Sequence, residues 1–264
     1  MMGKDSAIRS TDGVSESIGF LLIFTLVIVG IGLVTLYGYP MLLQQQISAD
    51  EQIMEKNMIV LQNDVKSLAY KTVPYKETSL KIGGGSLTVY NSTHTPPIAK
   101  ITIRNSEGNT FVNQFQSGDL RYHSESSATD ISIQNGAVLK RQPAQTGSVM
   151  LAEPRWFYDP YTRTLVVNLV NLTSDAPISR SGIGTVQMAL GETKFLIVDA
   201  TTAPPIGNQI IIDYVPDADN DYSLAWDHYF KNLGMTGGPV TYSFPLDYVS
   251  RLVIKQYEVN VISV

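Results

Sequence analysis

The densest group of potential ligands in the chain is Asp217-Ala218-Asp219-Asn220-Asp221. Carboxylates at alternate positions can converge hard oxygen atoms on one cation, so Asp217, Asp219 and Asp221 form a candidate Ca²⁺ site. The stretch is not an EF-hand loop, because Tyr222 stands at the glycine position and His228 where the bidentate Glu belongs. A solvated turn leading into a helix accounts for the same residues. His94, His123 and His228 are isolated, with no pair at metal-ligand spacing, and cysteine is absent, which excludes disulfides, thiolate metal sites and cysteine nucleophiles. No Gly-x-Ser-x-Gly elbow and no phosphate-binding loop occurs, and Gly83-Gly84-Gly85 reads as a turn between two strand-like runs. Nothing here can carry catalysis, and the chain reads as a non-enzyme with no resident cofactor beyond that one Ca²⁺ candidate. Sequons at Asn91-Ser92-Thr93 and Asn171-Leu172-Thr173, both in turn-like surroundings, make Asn91 and Asn171 candidate glycosylation sites.

The elements that must position these residues follow from periodicity. From Ile18 to Leu43 no residue is charged, and a helix of that length spans about 39 Å, more than the roughly 30 Å hydrocarbon core of a bilayer. A buried helix of a soluble core would carry a polar face sooner than this. A cleavable signal peptide is the rival reading, since Lys4 and Arg9 precede the run. Against it, the run exceeds an ordinary signal core, and Tyr37-Gly38-Tyr39-Pro40 is not a small-x-small exit. The basic flank lies before the span and Asp50, Glu51 and Glu55 follow it, so the positive-inside rule puts the C-terminal part outside the cell. Tyr37 and Tyr39 suit an interfacial belt, and Pro40 can kink the helix there.

Beyond the span, Ile47, Met54, Met58, Leu61, Val65 and Leu68 recur at helical spacing while Glu51, Glu55, Lys56, Asp64 and Lys66 occupy other faces. The stripe fits a short coiled-coil seam or a helix docked on its own domain. Pro74 ends it. After Pro74 the period falls towards two, in runs at Ser86–Tyr90, Lys100–Arg104, Asp130–Ile133, Gly136–Arg141, Trp156–Tyr158, Thr164–Val170, Thr185–Leu190, Lys194–Val198, Gln209–Tyr214, Val240–Phe244 and Arg251–Val264. Such spacing predicts a sandwich of stacked antiparallel sheets. Gln134-Asn135-Gly136 and Leu190-Gly191-Glu192 are the hairpin signals. Ser223 to Gly234 reads as one inserted helix with Ser223 as its cap, Gly234 as its terminator, and Trp226, Tyr229 and Phe230 as core anchors.

The junction Thr11-Asp12-Gly13-Val14-Ser15-Glu16-Ser17-Ile18-Gly19-Phe20 resembles the N-terminus of archaeal type IV pilin-like precursors. In that family a polar leader ends in Gly and a prepilin-type peptidase cuts on the cytoplasmic side, which here implies cleavage between Gly13 and Val14 with the apolar helix retained. Asp12 stands where a basic residue usually precedes the Gly, and Glu16 is third rather than fifth in the mature chain. Gly136-Ala137-Val138-Leu139-Lys140-Arg141 and Met150-Leu151-Ala152-Glu153-Pro154 add a likeness to an uncharacterised archaeal family of pilin-like anchored proteins.

The resulting expectation is a mainly β protein with a long N-terminal α-helix. Residues 1–13 form a leader, 14–43 a transmembrane or filament-core helix, 44–73 an amphipathic connecting helix and 74–264 an extracytoplasmic β-sandwich-like domain. The implied partners are the lipid bilayer, a prepilin-type peptidase, and further copies or other pilin-like subunits. A net charge of −5, with no Lys/Arg cluster longer than two, speaks against nucleic acid. The function expected is that of a structural or accessory subunit of a surface filament, with a solitary tethered binding module as the alternative.

Overall fold

The computed structural model of the chain describes residues 12–71, 73–93, 98–142 and 147–264, with no side-chain account for 12–16. Its N-terminal part is helical: α1 (Asp12–Leu33), a π-helical turn at Val34–Gly38, then α2 (Tyr39–Lys71). The wide turn, closed by the Tyr39 N–H on the Val34 carbonyl, stands directly before Pro40. Proline lacks an N–H and crowds the carbonyl four residues back, so an expanded turn at this point lets the helix continue past it. Thr25 and Thr35 turn their hydroxyls back onto the Leu21 and Ile31 carbonyls, which leaves the surrounding surface apolar. One helix is thus long and apolar enough to span a membrane.

The chain divides into two compact units, residues 1–49 and Asp50–Val264. The second unit therefore takes in the latter part of α2. The strands are β1 (Tyr75–Tyr90), β2 (Lys100–Asn105), β3 (Thr110–Gln116), β4 (Asp119–Ser124), β5 (Asp130–Gln134), β6 (Ala137–Arg141), β7 (Ser148–Ala152), β8 (Phe157–Asp159), β9 (Thr164–Thr173), β10 (Ile178–Val198), β11 (Ile210–Val215), β12 (Thr236–Gly237), β13 (Thr241–Ser243) and β14 (Arg251–Ser263); α3 (Ser223–Asn232) is inserted after β11. They form a nine-stranded sheet, ordered β7-β6-β5-β4-β1-β10-β14-β9-β8, and a five-stranded sheet, ordered β12-β13-β11-β2-β3. The expected antiparallel pattern fails between the second and third strands from the β8 edge, where β14 pairs with β9 in parallel, Leu252 facing Leu165 and Val259 facing Leu172. As β9 and β14 are far apart in sequence, no hairpin constrains their relative direction.

Each face of the large sheet has its own core. On one face, Met54, Met58, Leu61, Val65 and Leu68 of α2 pack on Leu80, Ile82, Leu87 and Val89 of β1, Leu120 and Tyr122 of β4, Ile131 and Ile133 of β5, and Val259 and Val261 of β14. On the other, Leu165, Val167, Leu169, Leu252 and Ile254 meet Ile101, Ile103, Ile210, Ile212 and Tyr214 of the small sheet, with Trp226, Tyr229 and Phe230 of α3 closing the side as core anchors. The large sheet is a middle layer. From Met54 on the connecting stripe is accordingly a docked helix, with Met54, Met58, Leu61, Val65 and Leu68 at most 1% exposed, whereas Ile47, the first of the expected stripe, is only half-buried and outside this core.

Three turn expectations resolve differently. Asn135 (φ +49°) and Gly136 (φ +73°) build the two-residue β5–β6 hairpin, because a primed turn needs positive φ at both central positions. Gly83-Gly84-Gly85 is not a turn but a bulge within β1, where the register shifts between Ile82 and Ser86. The bulge reverses strand parity, so that Leu80 and Ile82 before it and Leu87 and Val89 after it all reach the α2 side. Glycine is required at Gly85, where a Cβ would overlap the His123 backbone carbonyl, and Gly84 takes a positive φ of +63°. Leu190-Gly191-Glu192 is likewise a bulge within the continuous β10. Runs missed in the sequence include β3, β4, β7 and the first half of β1; in β3 and the first half of β1 polar side chains interrupt the apolar alternation.

The α3 ends also separate. Gly234 (φ +94°) terminates it in a Schellman arrangement, with Met235 N–H on the Phe230 carbonyl and Gly234 N–H on that of Lys231. Ser223 does not cap it: the cap position is Tyr222, and the Asp221 carboxylate accepts the Ser223 N–H at 2.7 Å.

Because α2 forms one side of this core, a fragment starting near Thr78 lacks what its sheet packs on, whereas residues 50–264 contain the whole unit. The expected outcome is a soluble 50–264 fragment with cooperative thermal unfolding and a 78–264 fragment that aggregates or binds hydrophobic dyes. Met58→Ala in the longer fragment should cost about 2–5 kcal/mol in denaturant titration.

Candidate functional site

The acidic loop lies against the large sheet where the small sheet does not cover it. Strand alternation sends Leu120, Tyr122, Ile131 and Ile133 to α2 and leaves Asp119, Arg121, Ser132 and Gln134 on the opposite face. Asp119 is fully buried, and its Oδ2 accepts from Arg121 Nε (2.8 Å), Ser132 Oγ (3.2 Å) and Gln134 Nε2 (3.2 Å). With Ser132 donating to Asp119, the Tyr222 hydroxyl donates to Ser132 at 2.9 Å. Arg121 Nη2 reaches Asp217 Oδ2 at 2.8 Å, and its guanidinium lies 4.7 Å from the centre of the Tyr90 ring. Burial pushes the Asp119 carboxyl up, opposed by the Arg121 charge and the hydrogen bonds. Burial also works against the Arg121 guanidinium, yet Asp119, Tyr222 and Asp217 favour its charged form and hold its pKa above the ordinary value.

This geometry accounts for all three candidate Ca²⁺ ligands. Asp217 is buried and fully committed, Oδ2 to Arg121 and Oδ1 to the Asp219 N–H at 2.9 Å. Asp219 is exposed, its carbonyl held by Arg141 Nη1 at 3.0 Å, while Asn220 Oδ1 accepts from the same group at 3.1 Å. Asp221 binds the first turn of α3. The carboxylates diverge, and among the described residues no three acidic, histidine or cysteine groups are gathered to hold a metal. The loop is a clamp in which two arginines of the large sheet hold the segment leading into α3. It is solvated only in part, with Asp219 and Asp221 exposed and Asp217 and Asn220 buried.

The remaining candidates are scattered. Gly13 and Val14 fall in the first turn of α1. Asn91 Nδ2, the atom a glycan would take, donates to the Ser174 carbonyl at 3.0 Å. Asn171 is not in a turn: it lies within β9 opposite Glu258, with Oδ1 buried and without a hydrogen-bond partner. His123 Nδ1 meets Asp130 Oδ1 at 2.8 Å, His228 is exposed on α3, and His94 lies outside the described residues.

Sequence reasoning missed Gln62. This buried side chain in the apolar face of α2 donates to the Gly136 carbonyl at 2.7 Å and the Glu153 carbonyl at 3.0 Å, tying the helix to the β5–β6 turn and the end of β7. Its signal was a lone amide beside Leu61 and Val65. Asp119 and Arg121 left none, since Asp-Leu-Arg-Tyr in isolation looks like an exposed segment. The apolar surface of α1 is the other prominent feature, with Phe20 and Leu36 both 71% exposed.

A protein-family model matches residues 13–261. The chain belongs to the DUF7289 family, a family of unknown function. Neither curated proteins nor solved structures match the chain. The match takes in the apolar helix together with the β-rich unit.

Removing Arg121 as Arg121→Met should cost about 3–5 kcal/mol, because Asp119 is left buried without its counter-charge. The companion outcome is a melting temperature that millimolar Ca²⁺ does not move. A Ca²⁺-dependent rise abolished by Asp219→Ala would restore the metal site.

Proposed function

We propose that the chain is a non-catalytic structural or accessory subunit of a type IV pilus-like surface filament of the archaeal kind, processed after Gly13 by a prepilin-type peptidase. Its apolar helix holds it in the membrane before assembly and packs with the helices of other subunits afterwards, while the β-rich unit faces the exterior. The observation that carries this reading is a helix without a charged residue from Ile18 to Leu43, which follows the Gly13-Val14 junction and lies inside the family match. A cleaved signal sequence need not belong to the region that a family shares, whereas a helix that works in the mature protein must. The basic residues before the span and the acidic ones after it support the exterior placement.

N-terminal sequencing of the protein from its own membranes should find Val14 first, and Gly13→Glu should leave the leader in place. A mature start at Met1 removes the pilin reading, and a start beyond Leu43 establishes a conventional signal peptide. Detergent extraction decides between filament subunit and solitary tethered module. Sedimenting polymers support the first and a monodisperse species the second.

A further inference from the structure

The second half of β10 is an open edge. On one side β1 accompanies the strand only as far as Ala189, which faces Tyr75, and the Leu190 N–H then donates to the Pro74 carbonyl at 3.1 Å. From Thr193 to Val198, β14 is its one partner among the described residues. Residues 191–197 are all exposed, Phe195 by 57%. Lys194 and the bulge between Leu190 and Thr193 blunt the start of this edge, as natural sheets do against pairing with other chains. Phe195-Leu196-Ile197-Val198 carries no such device, having no charge, proline or bulge. From Ile197 an unburied apolar rung continues through Val253 and Val166 to Phe157, on the α2 side of the sheet but past the Tyr70–Tyr257 contact near the end of α2.

A row of free backbone N–H and C=O groups is answered by another extended strand. We propose that this strand is the same stretch of a second copy, running antiparallel about a two-fold axis at Phe195. Glu192 and Lys194 neutralise each other at 3.2 Å, so the edge asks for no charge from its partner. Its length fixes the register. Residues facing each other point to the same side of a sheet, so a two-fold between identical strands must pass through one residue. At Thr193 it would carry Ile197 to Ala189, where β1 already lies. At Lys194 it would set two lysines directly opposite. At Leu196 it would carry Thr193 to Asp199, beyond the end of the strand. At Phe195 it pairs Glu192 with Val198, Thr193 with Ile197 and Lys194 with Leu196, all on the free edge, and brings the two Phe195 rings together beside the exposed rung. The axis also reverses α2. Asp50 lies beside Gly83 and Tyr70 meets Tyr257, so α2 runs along β10 and the two Asp50 ends fall at opposite ends of the pair. Copies on facing membranes meet this condition. That placement rests on the anchored, outward reading of the β-rich unit, while the pairing itself does not depend on filament assembly.

The test uses the full chain in two populations of lipid vesicles carrying different tags, with retention after a carbonate wash checking the anchor separately. Mixing the populations should cluster the vesicles. The chain has no cysteine, so each introduced thiol is unambiguous. A short bismaleimide should give dimers carrying both tags from Phe195→Cys, and from Thr193→Cys mixed with Ile197→Cys. It should give none from Tyr161→Cys, a 97% exposed site off the edge. Phe195→Lys sets like charges on the axis and should abolish clustering at an unchanged melting temperature, because this side chain lies outside both cores. Absence of dual-tag dimers from either cysteine arrangement, dimers of like tags only, or clustering that survives Phe195→Lys would each overturn the proposal. So would clustering with protein-free vesicles, which would make lipid the occupant.

Discussion

The seating of α2 on the large sheet is the interaction on which the rest depends. Five apolar side chains spaced along one helix face fill a surface drawn from β1, β4, β5, β10 and β14, and Gln62 adds two hydrogen bonds to backbone carbonyls beyond that stripe. The apolar contacts are non-directional and would tolerate a helix rotated or slid by a turn. Gln62 is directional, and its two carbonyls come from segments far apart in the chain, so it selects one register. The glycine bulge in β1 answers the same demand from the sheet side. Without the parity change, half of β1 would turn its apolar residues away from the helix.

A sheet covered on both faces is normally apolar on both, and this one departs from that in two places. Under the loop that leads into α3, the outward face carries Asp119, Arg121, Ser132 and Gln134, and the loop returns Asp217 and Tyr222 to them. At the edge of the small sheet, the same face becomes Gln256, Glu258 and Asn171. In the first place most of the polar groups find partners within the chain and become a clamp, although Asp119 Oδ1 and Gln134 Oε1 are left without one. In the second, the polar side chains line a groove at the edge of the small sheet.

The helical part has to satisfy two solvents with one element type. Around Ile18–Leu43 every side of the helix is apolar, which suits lipid or the helices of other subunits; past Asp50 only a stripe is, which suits a sheet. The change in pattern falls within α2, close to where the two compact units divide. A helix serves both because its backbone hydrogen bonds are internal and do not depend on what surrounds it.

The apolar span, the docked stripe, the Asn135-Gly136 hairpin, α3 with its Gly234 terminus and most strands were legible in the sequence, because each rests on a local rule: length without charge, a period near 3.6 or 2, or a residue able to take positive φ. Tertiary structure alone decided the parallel pairing of β9 with β14, the conversion of two glycine signals from turns to bulges, and the use of Asp217. A glycine reports that the backbone must do something unusual, and only the neighbouring strand determines whether the chain reverses or merely skips a residue. An aspartate at alternate spacing reports available oxygen atoms, but Arg121 lies 96 positions away in the chain, and a partner at that separation is invisible to any local pattern. What the loop became was set by which cation the sheet brought beneath it.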